Sequence, residues 1–276
     1  MNRLAEPSPS AQPELAALLR TRALGRSLIR LDSVSSTNTH ALDLGRQGAA
    51  HGTVVWAETQ QAGKGRQGRR WHSPPGHNLY CSIVLNTAVP AGDYARWLSW
   101  VPLMAAVGTA QAIQACTGLH VALKWPNDLL VRSRKLGGIL CESNGTPQQP
   151  LVVVGIGLNV NSPIESFPDD LRDLATSLLI ETGVTHDRTA LLASLLLEVE
   201  RGLDAIVAGP PDQLVASYSR HCMTLGREVR VHLDGDTMIE GRATAIGQDG
   251  ALLVAPRGTR EATLIPVRAG DVLHVR

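Results

Sequence analysis

Between His120 and Asn159 the chain carries four apolar, strand-like runs: His120–Lys124, Asp128–Val131, Leu136–Glu142 and Leu151–Asn159. Only short turns separate them, at Arg132–Arg134 and Asn144–Gln149 among others. A parallel crossover consumes about a dozen residues or more, usually as a helix, whereas antiparallel neighbours are joined by a tight turn. The spacing therefore predicts an antiparallel or mixed sheet rather than a doubly wound parallel one.

Around this run the remaining pattern is α+β. Pro13–Leu24 reads as one short helix behind a first dozen residues rich in Pro and Ser, which are expected to be disordered. Ser35-Ser36-Thr37-Asn38 offers hydroxyl and amide caps for a helix over Thr39–Gln47. Thr53–Glu58 and Leu79–Leu85 are apolar strands, and Tyr94–Cys116 is a long apolar helix stopped at Gly118. Helices return over Arg188–Val207 and Asp212–His221. After about Met223 the texture changes to five short alternating strands: Glu228–Leu233, Met238–Ile246, Ala251–Ala255, Glu261–Val267 and Asp271–Val275. Turns at Asp234-Gly235 and Asp249-Gly250 punctuate them, which predicts a small β-barrel. A length of 276 residues accommodates two domains. The expected division is an N-terminal extension over 1–30, a main domain over 31–222 and a small domain over 223–276.

Composition excludes several functions. A net charge of +1 is too small for a general nucleic-acid surface, so any basic site must be local. No stretch approaches the roughly 20 apolar residues of a membrane helix, and the N-terminus has no signal-peptide core. Cys81, Cys116, Cys141 and Cys222 follow no metal-ligand spacing and read as free thiols in a reducing compartment. A cytoplasmic protein is expected. All but three of the 26 basic residues are Arg. The exceptions, Lys64, Lys124 and Lys135, each fall in a motif, although an Arg-favouring coding bias would also produce the count.

Gly63-Lys64-Gly65-Arg66-Gln67-Gly68 has the G-x-G-x-x-G spacing of a dinucleotide site and follows a predicted strand. The context fails: Arg69-Arg70-Trp71-His72-Ser73-Pro74-Pro75-Gly76 does not open a helix, and no acidic residue stands about 20 positions on. No Gly-Lys-Ser or Gly-Lys-Thr is present for a Walker loop. What remains is a glycine loop carrying Lys64, Arg66, Arg69 and Arg70. Its backbone N–H groups and guanidiniums suit phosphate, and Trp71 suits stacking on a purine. A solvated basic turn would show the same charges.

Three further constellations stand at strand ends. In Lys124-Trp125-Pro126-Asn127-Asp128 the proline interrupts pairing and leaves Asn127 and Asp128 projecting. Asp128 could hold magnesium, orient an amine or cap a turn. Lys135-Leu136-Gly137-Gly138-Ile139-Leu140 sets an ammonium group beside exposed backbone. Gly155-Ile156-Gly157-Leu158-Asn159-Val160-Asn161 places an amide at a glycine-flanked strand end.

Taken in order with Ser36-Thr37-Asn38 and Gln60-Gln61-Ala62, these segments resemble the biotin-protein ligases over about residues 33–276. The resemblance implies a class II synthetase-like α+β catalytic domain with a mixed sheet, and a small C-terminal β-barrel. It implies that biotin and Mg-ATP give biotinyl-5′-AMP and pyrophosphate. A lysine of the biotin carboxyl carrier protein of acetyl-CoA carboxylase then takes the biotinyl group. On matching positions, Ser36, Thr37 and Gln60 would meet the ureido ring, and Asn38 would belong to the biotin site. Lys64, Gly65 and Arg66 would close over the biotin carboxylate and the phosphates, Lys64 standing where many relatives have Arg. Lys135 and Gly138 would border the carboxylate. Arg66, Arg69, Trp71, Lys124, Asn127, Lys135 and Asn159 would serve ATP, with Trp71 and Asn159 at the adenine. Lys135, Arg66 and Asp128 would carry the chemistry, Asp128 also as magnesium ligand. Many bacterial members are repressors through an N-terminal helix-turn-helix, for which too few residues precede these motifs, so specific DNA binding is not expected. A lipoate-protein ligase and a non-enzymatic biotin sensor are the rival readings. Monomer and homodimer are both left open.

Overall fold

The computed structural model describes residues 12–86, 94–146, 148–208, 212–233, 238–258, 264–268 and 270–274. The expected disordered extension over the first dozen residues and the Asp234-Gly235 turn fall outside them, apart from Gln12.

A short helix α1 (Gln12–Leu18) leads to strand β1 (Leu28–Val34), helix α2 (Thr37–Arg46) and strands β2 (Val54–Gln60) and β3 (Leu79–Leu85). The long helix α3 (Tyr94–Thr117) precedes β4 (Ala122–Lys124), β5 (Asp128–Val131), β6 (Arg134–Ser143) and β7 (Val152–Leu158). These strands form one seven-stranded sheet in the order β1-β2-β3-β7-β6-β5-β4. The pair β1–β2 is parallel, joined through α2, and every other neighbour is antiparallel. The sheet is mixed, as the short turns demanded.

Both faces are covered, which explains why the central strands read as continuous apolar runs. Val54 and Trp56 of β2 point into the main core under α3 and helix α5 (Arg188–Ala208). Val55 and Ala57, one residue out of phase, join a second core with Ala41 and Leu42 of α2. The functional cavity opens on this second face.

After helices α4 (Leu178–Thr182), α5 and α6 (Asp212–His221), five strands make the second sheet: β8 (Glu228–His232), β9 (Met238–Ile246), β10 (Leu252–Pro256), β11 (Ile265–Val267) and β12 (Asp271–His274). Their order is β11-β10-β9-β8-β12, all antiparallel. The five strands expected of the small C-terminal β-barrel are thus one antiparallel sheet, and no pairing closes it among the described residues. β11 and β12 lie on opposite edges of this sheet. The Gln248–Gly250 turn of this sheet docks on α3 and the β4–β5 connection, where Trp100 Nε1 donates to Gln248 O at 2.8 Å and Trp125 Nε1 to Gly250 O at 3.2 Å.

Two local expectations also change. The helix expected over Pro13–Leu24 stops at Leu18, because the buried Glu200 carboxylate accepts the backbone N–H groups of Arg22, Ala23 and Leu24 at 2.7, 2.8 and 3.0 Å. β1 was not anticipated: its Arg30 and Asp32 interrupt the apolar pattern, and only pairing with β2 makes it a strand.

Candidate active site

The cavity, about 490 Å3 in volume, is floored by strands β5, β6 and β7. Cross-strand register sets Asp128, Gly138 and Gly157 in one row and Leu140, Gly155 and Ser82 in the next. Two glycines are required by close approach. A Cβ on Gly155 would lie 2.0 Å from Asn38 Oδ1, and one on Gly157 would lie 2.8 Å from the Trp71 indole. The N-terminus of α2 and the ring of Trp71 therefore rest directly on strand backbone.

The end nearest α2 is polar and ordered. Gln60 Oε1 accepts from Thr37 N at 2.9 Å and from Thr37 Oγ1 at 3.1 Å, while Gln60 Nε2 reaches Ser73 Oγ at 3.1 Å. The buried Ser82 hydroxyl lies 2.8 Å from Thr37 Oγ1 and 2.7 Å from Asn38 Oδ1. Asn38 Nδ2 donates to Leu140 O at 3.1 Å and to Glu142 Oε2 at 2.8 Å. Ser36 was expected to cap α2, but its side chain makes no cap bond; it is 1% exposed and lines the cavity. A small ring presenting both N–H and C=O finds donors and acceptors here.

The middle is cationic. Lys135 Nζ lies 2.6 Å from Asp128 Oδ1 and 5.5 Å from the Trp71 ring centroid. Arg66 Nη1 reaches Asn127 Oδ1 at 3.4 Å, and Asn127 is itself held by Nδ2 donating to Ile139 O at 3.0 Å. The Gly63–Trp71 loop is a tight hairpin: Trp71 N donates to Gly63 O at 2.9 Å and Gly65 N to Arg69 O at 2.6 Å. Gln67 turns it at φ 54°, followed by Gly68 at φ 73°. No helix opens from the last glycine, in keeping with exclusion of a dinucleotide site. Lys64 Nζ reaches Glu142 Oε1, 3.4 Å off.

Trp71 and Asn159 both line the cavity, and Asn159 Nδ2 donates to Thr176 O at 3.0 Å. Phe167, Leu171, Leu174 and Ala175 form an apolar wall. This wall escaped sequence reading because it belongs to an irregular segment. Lys135 N donates to Leu174 O and Thr176 N to Lys135 O, at 2.7 and 2.9 Å, so long-range backbone pairing alone places it.

The neighbouring thiols are inert. Burial pushes Cys81 up to about 12, and burial followed by the Glu142 charge pushes Cys141 higher still. Among the described residues no group of three His, Cys, Asp or Glu side chains could cage a metal ion.

The cavity gathers Ser36, Thr37, Asn38, Gln60, Lys64, Gly65, Arg66, Arg69, Trp71, Asn127, Asp128, Lys135, Gly138 and Asn159, all singled out from the sequence. Lys124 does not line it. It stands on the outermost strand β4, where its charge acts on His274 of the second sheet; burial first, then Lys124 and Arg227, push that imidazole down to about 4. Ser82 and Glu142 were missed, since nothing local marks a strand serine or glutamate as a hydrogen-bond partner of Asn38.

Residues 31–161 match the biotin/lipoate A/B protein ligase family, and residues 224–275 match the biotin protein ligase C terminal domain. The chain is 36% identical over 253 residues to the biotin--[acetyl-CoA-carboxylase] ligase of Mycobacterium tuberculosis, covering 90% of each chain. It is 32% identical over 250 residues to the bifunctional ligase/repressor BirA of Bacillus spizizenii, covering 90% of this chain and 75% of that one. Among solved structures, the biotin protein ligase from Aquifex aeolicus in complex with biotin and ATP superposes with a TM-score of 0.75 at 27% identity, covering 91% of this chain and 99% of that one. The chain belongs to the biotin protein ligases.

Proposed function

We propose that the chain activates biotin with ATP to biotinyl-5′-AMP and transfers the biotinyl group to a lysine of the biotin carboxyl carrier protein of acetyl-CoA carboxylase. One observation carries this reading: a single cavity joins a hydrogen-bonding end at Thr37 and Gln60, a cationic middle at Lys135 and Arg66, and an indole-and-amide end at Trp71 and Asn159. That sequence of environments matches a ureido ring, a carboxylate meeting phosphates, and an adenine.

In the first step the biotin carboxylate attacks the α-phosphorus, a P–O bond forms, and the bond to pyrophosphate breaks. Like charges must approach, so fixed cations lower the barrier most. Lys135 would bridge carboxylate and phosphoryl oxygens, exchanging its contact with Asp128 for them. Arg66, held by Asn127, would close over the same oxygens. In the second step a neutral carrier amine attacks the acyl carbon and AMP leaves. Asp128, released from Lys135, would orient that amine or take its proton. Trp71 and Asn159 would seat the adenine, and Thr37, Gln60 and Ser36 the ureido ring.

Asp128 is the sole carboxylate among the described lining residues. That donor set fits a magnesium ion shared with phosphate oxygens, for which Asp128 would be the holding residue. When bound it would neutralise phosphate charge.

The polar end favours a ureido ring over lipoate, whose dithiolane offers no N–H or C=O to exchange hydrogen bonds with Thr37 and Gln60. No helix among the described residues is long and apolar enough to cross a membrane. The free thiols support a cytoplasmic site of action. Incubating a carrier domain with the protein, biotin and Mg-ATP should add one biotinyl mass. Biotin, and not lipoate, should drive ATP–pyrophosphate exchange. A carrier of unchanged mass would refute the assignment. A biotin-dependent gel shift on operator DNA would add a repressor function.

A further inference from the structure

Glu142 stands outside the residues picked from the sequence and outside the cavity lining, yet it joins two parts of the site. Its Oε2 accepts from Asn38 Nδ2 at 2.8 Å and its Oε1 lies 3.4 Å from Lys64 Nζ. Asn38 is 3% exposed and continues through Ser82 to Thr37 and Gln60. One hydrogen-bonded chain thus runs from the glycine loop, through a strand carboxylate, to the groups placed at the ureido ring.

Within that chain Glu142 is the one carboxylate, and its two oxygens take different partners, Asn38 and Lys64. Asn and Gln amides can turn over, and hydroxyls donate or accept as neighbours require. A carboxylate only accepts, so it holds the Asn38 NH2 toward β6 and Oδ1 toward Ser82. Leu140 O assists at 3.1 Å, but the bond to the charge is shorter and stronger. The other carboxylate oxygen holds the loop by its lysine. This geometry is available because Lys64 carries a single compact ammonium on a flexible stem.

Resting on the biotin-ligase reading, we propose that Glu142 is a positioning residue that couples closure of the Gly63–Trp71 loop to ordering of the ureido end, with Lys64 as its latch rather than as a carboxylate ligand. Loss of Lys64 opens the latch and leaves Asn38 held. Glu142→Gln does the same, because its carbonyl oxygen still accepts from Asn38 while the ion pair is gone. Glu142→Ala removes both.

The test uses the full chain with biotin, Mg-ATP and a carrier domain. Glu142→Ala should raise the KM for biotin about tenfold, the worth of one charge-assisted hydrogen bond, with kcat and the KM for ATP within about twofold. Glu142→Gln and Lys64→Met should match each other at a smaller rise. The double variant Lys64→Met/Glu142→Ala should be no worse than Glu142→Ala alone. Trypsin, which cuts after the loop's own Lys64, Arg66, Arg69 and Arg70, should nick unliganded Glu142→Ala and Lys64→Met faster than wild type at equal melting temperature. Additive effects in the double variant, or Glu142→Ala with wild-type biotin KM and loop cleavage, overturn the proposal. If Glu142→Ala fails to fold, a mismatch between Glu142→Gln and Lys64→Met overturns it equally. A wild-type chain that leaves the carrier unlabelled would instead defeat the ligase reading itself.

Discussion

Replacing Gly157 by Ala tests the adenine end without touching a charged group. The added Cβ would sit 2.8 Å from Trp71 Cε2 and Nε1 and 3.2 Å from Cζ2. Ordinary carbon contacts begin near 3.5 Å, so the indole must retreat by roughly 0.7 Å. Trp71 is half-buried and lines the cavity, so folding should lose little and the melting temperature should stay within about 2 °C. The nucleotide bears the cost, because its stacking surface has moved into its own space. A base on an aromatic ring is worth about 1–3 kcal/mol, and losing roughly half of the upper figure corresponds to about a tenfold change. In an ATP–pyrophosphate exchange assay at saturating biotin, the KM for ATP should rise about tenfold. Biotin binding measured by calorimetry without ATP should be unchanged. An unaltered KM for ATP would refute the placement of adenine against Trp71. A parallel loss of biotin affinity would refute the division of the cavity into separate ends.

Three other perturbations have defined outcomes. Lys135→Met removes the ammonium group 2.6 Å from Asp128 and should lower adenylate formation by about a hundredfold or more in single-turnover quench, with lesser effect on biotin affinity. Glu200 ties Arg22, Ala23 and Leu24 to α5, so Glu200→Gln orphans at least one backbone N–H and should cost about 2 kcal/mol in urea unfolding. Burial pushes the Glu200 carboxyl up, but the three backbone N–H groups and Arg22 outweigh it and hold it below its ordinary 4.5. Its stabilisation is thus complete above about 4.5 and lost as pH falls through the lower folded value, and the variant should lack that acid-side decline. His274 is depressed from 6.5 to about 4, so the unfolded chain binds more protons across that window. Stability should fall as pH drops from 6.5 toward 4, and His274→Gln should flatten this part of a melting-temperature profile.

Local pattern sufficed where an element is defined by its own residues. Leu79–Leu85, Asp128–Val131 and Asp212–His221 fall where periodicity puts them, because burial on both sheet faces or on one helix stripe is written into consecutive side chains. The glycine loop, the Lys135 segment and Asn159 were legible for a related reason: glycine and lysine at strand ends advertise close approach and charge before any fold is known.

Tertiary structure decided the rest. β1 exists through its parallel pairing with β2, and the wall from Phe167 to Ala175 through backbone bonds to Lys135 made across a loop of irregular chain. Lys124 and Lys135 look equivalent in sequence, yet one lines the cavity and the other faces His274 on the edge strand. Five short strands are legible from their alternation, but their order β11-β10-β9-β8-β12 is decided only by the pairing. Glu142 meets Asn38 across 104 positions of sequence. Local propensity and period report the few residues around a position, whereas contacts of that span exist only after the loop between them has closed. The sequence alone therefore determined which family motifs the chain carries and which segments bear them. The fold decided which of those groups face one another, and so which lysine faces the cavity and which the second sheet.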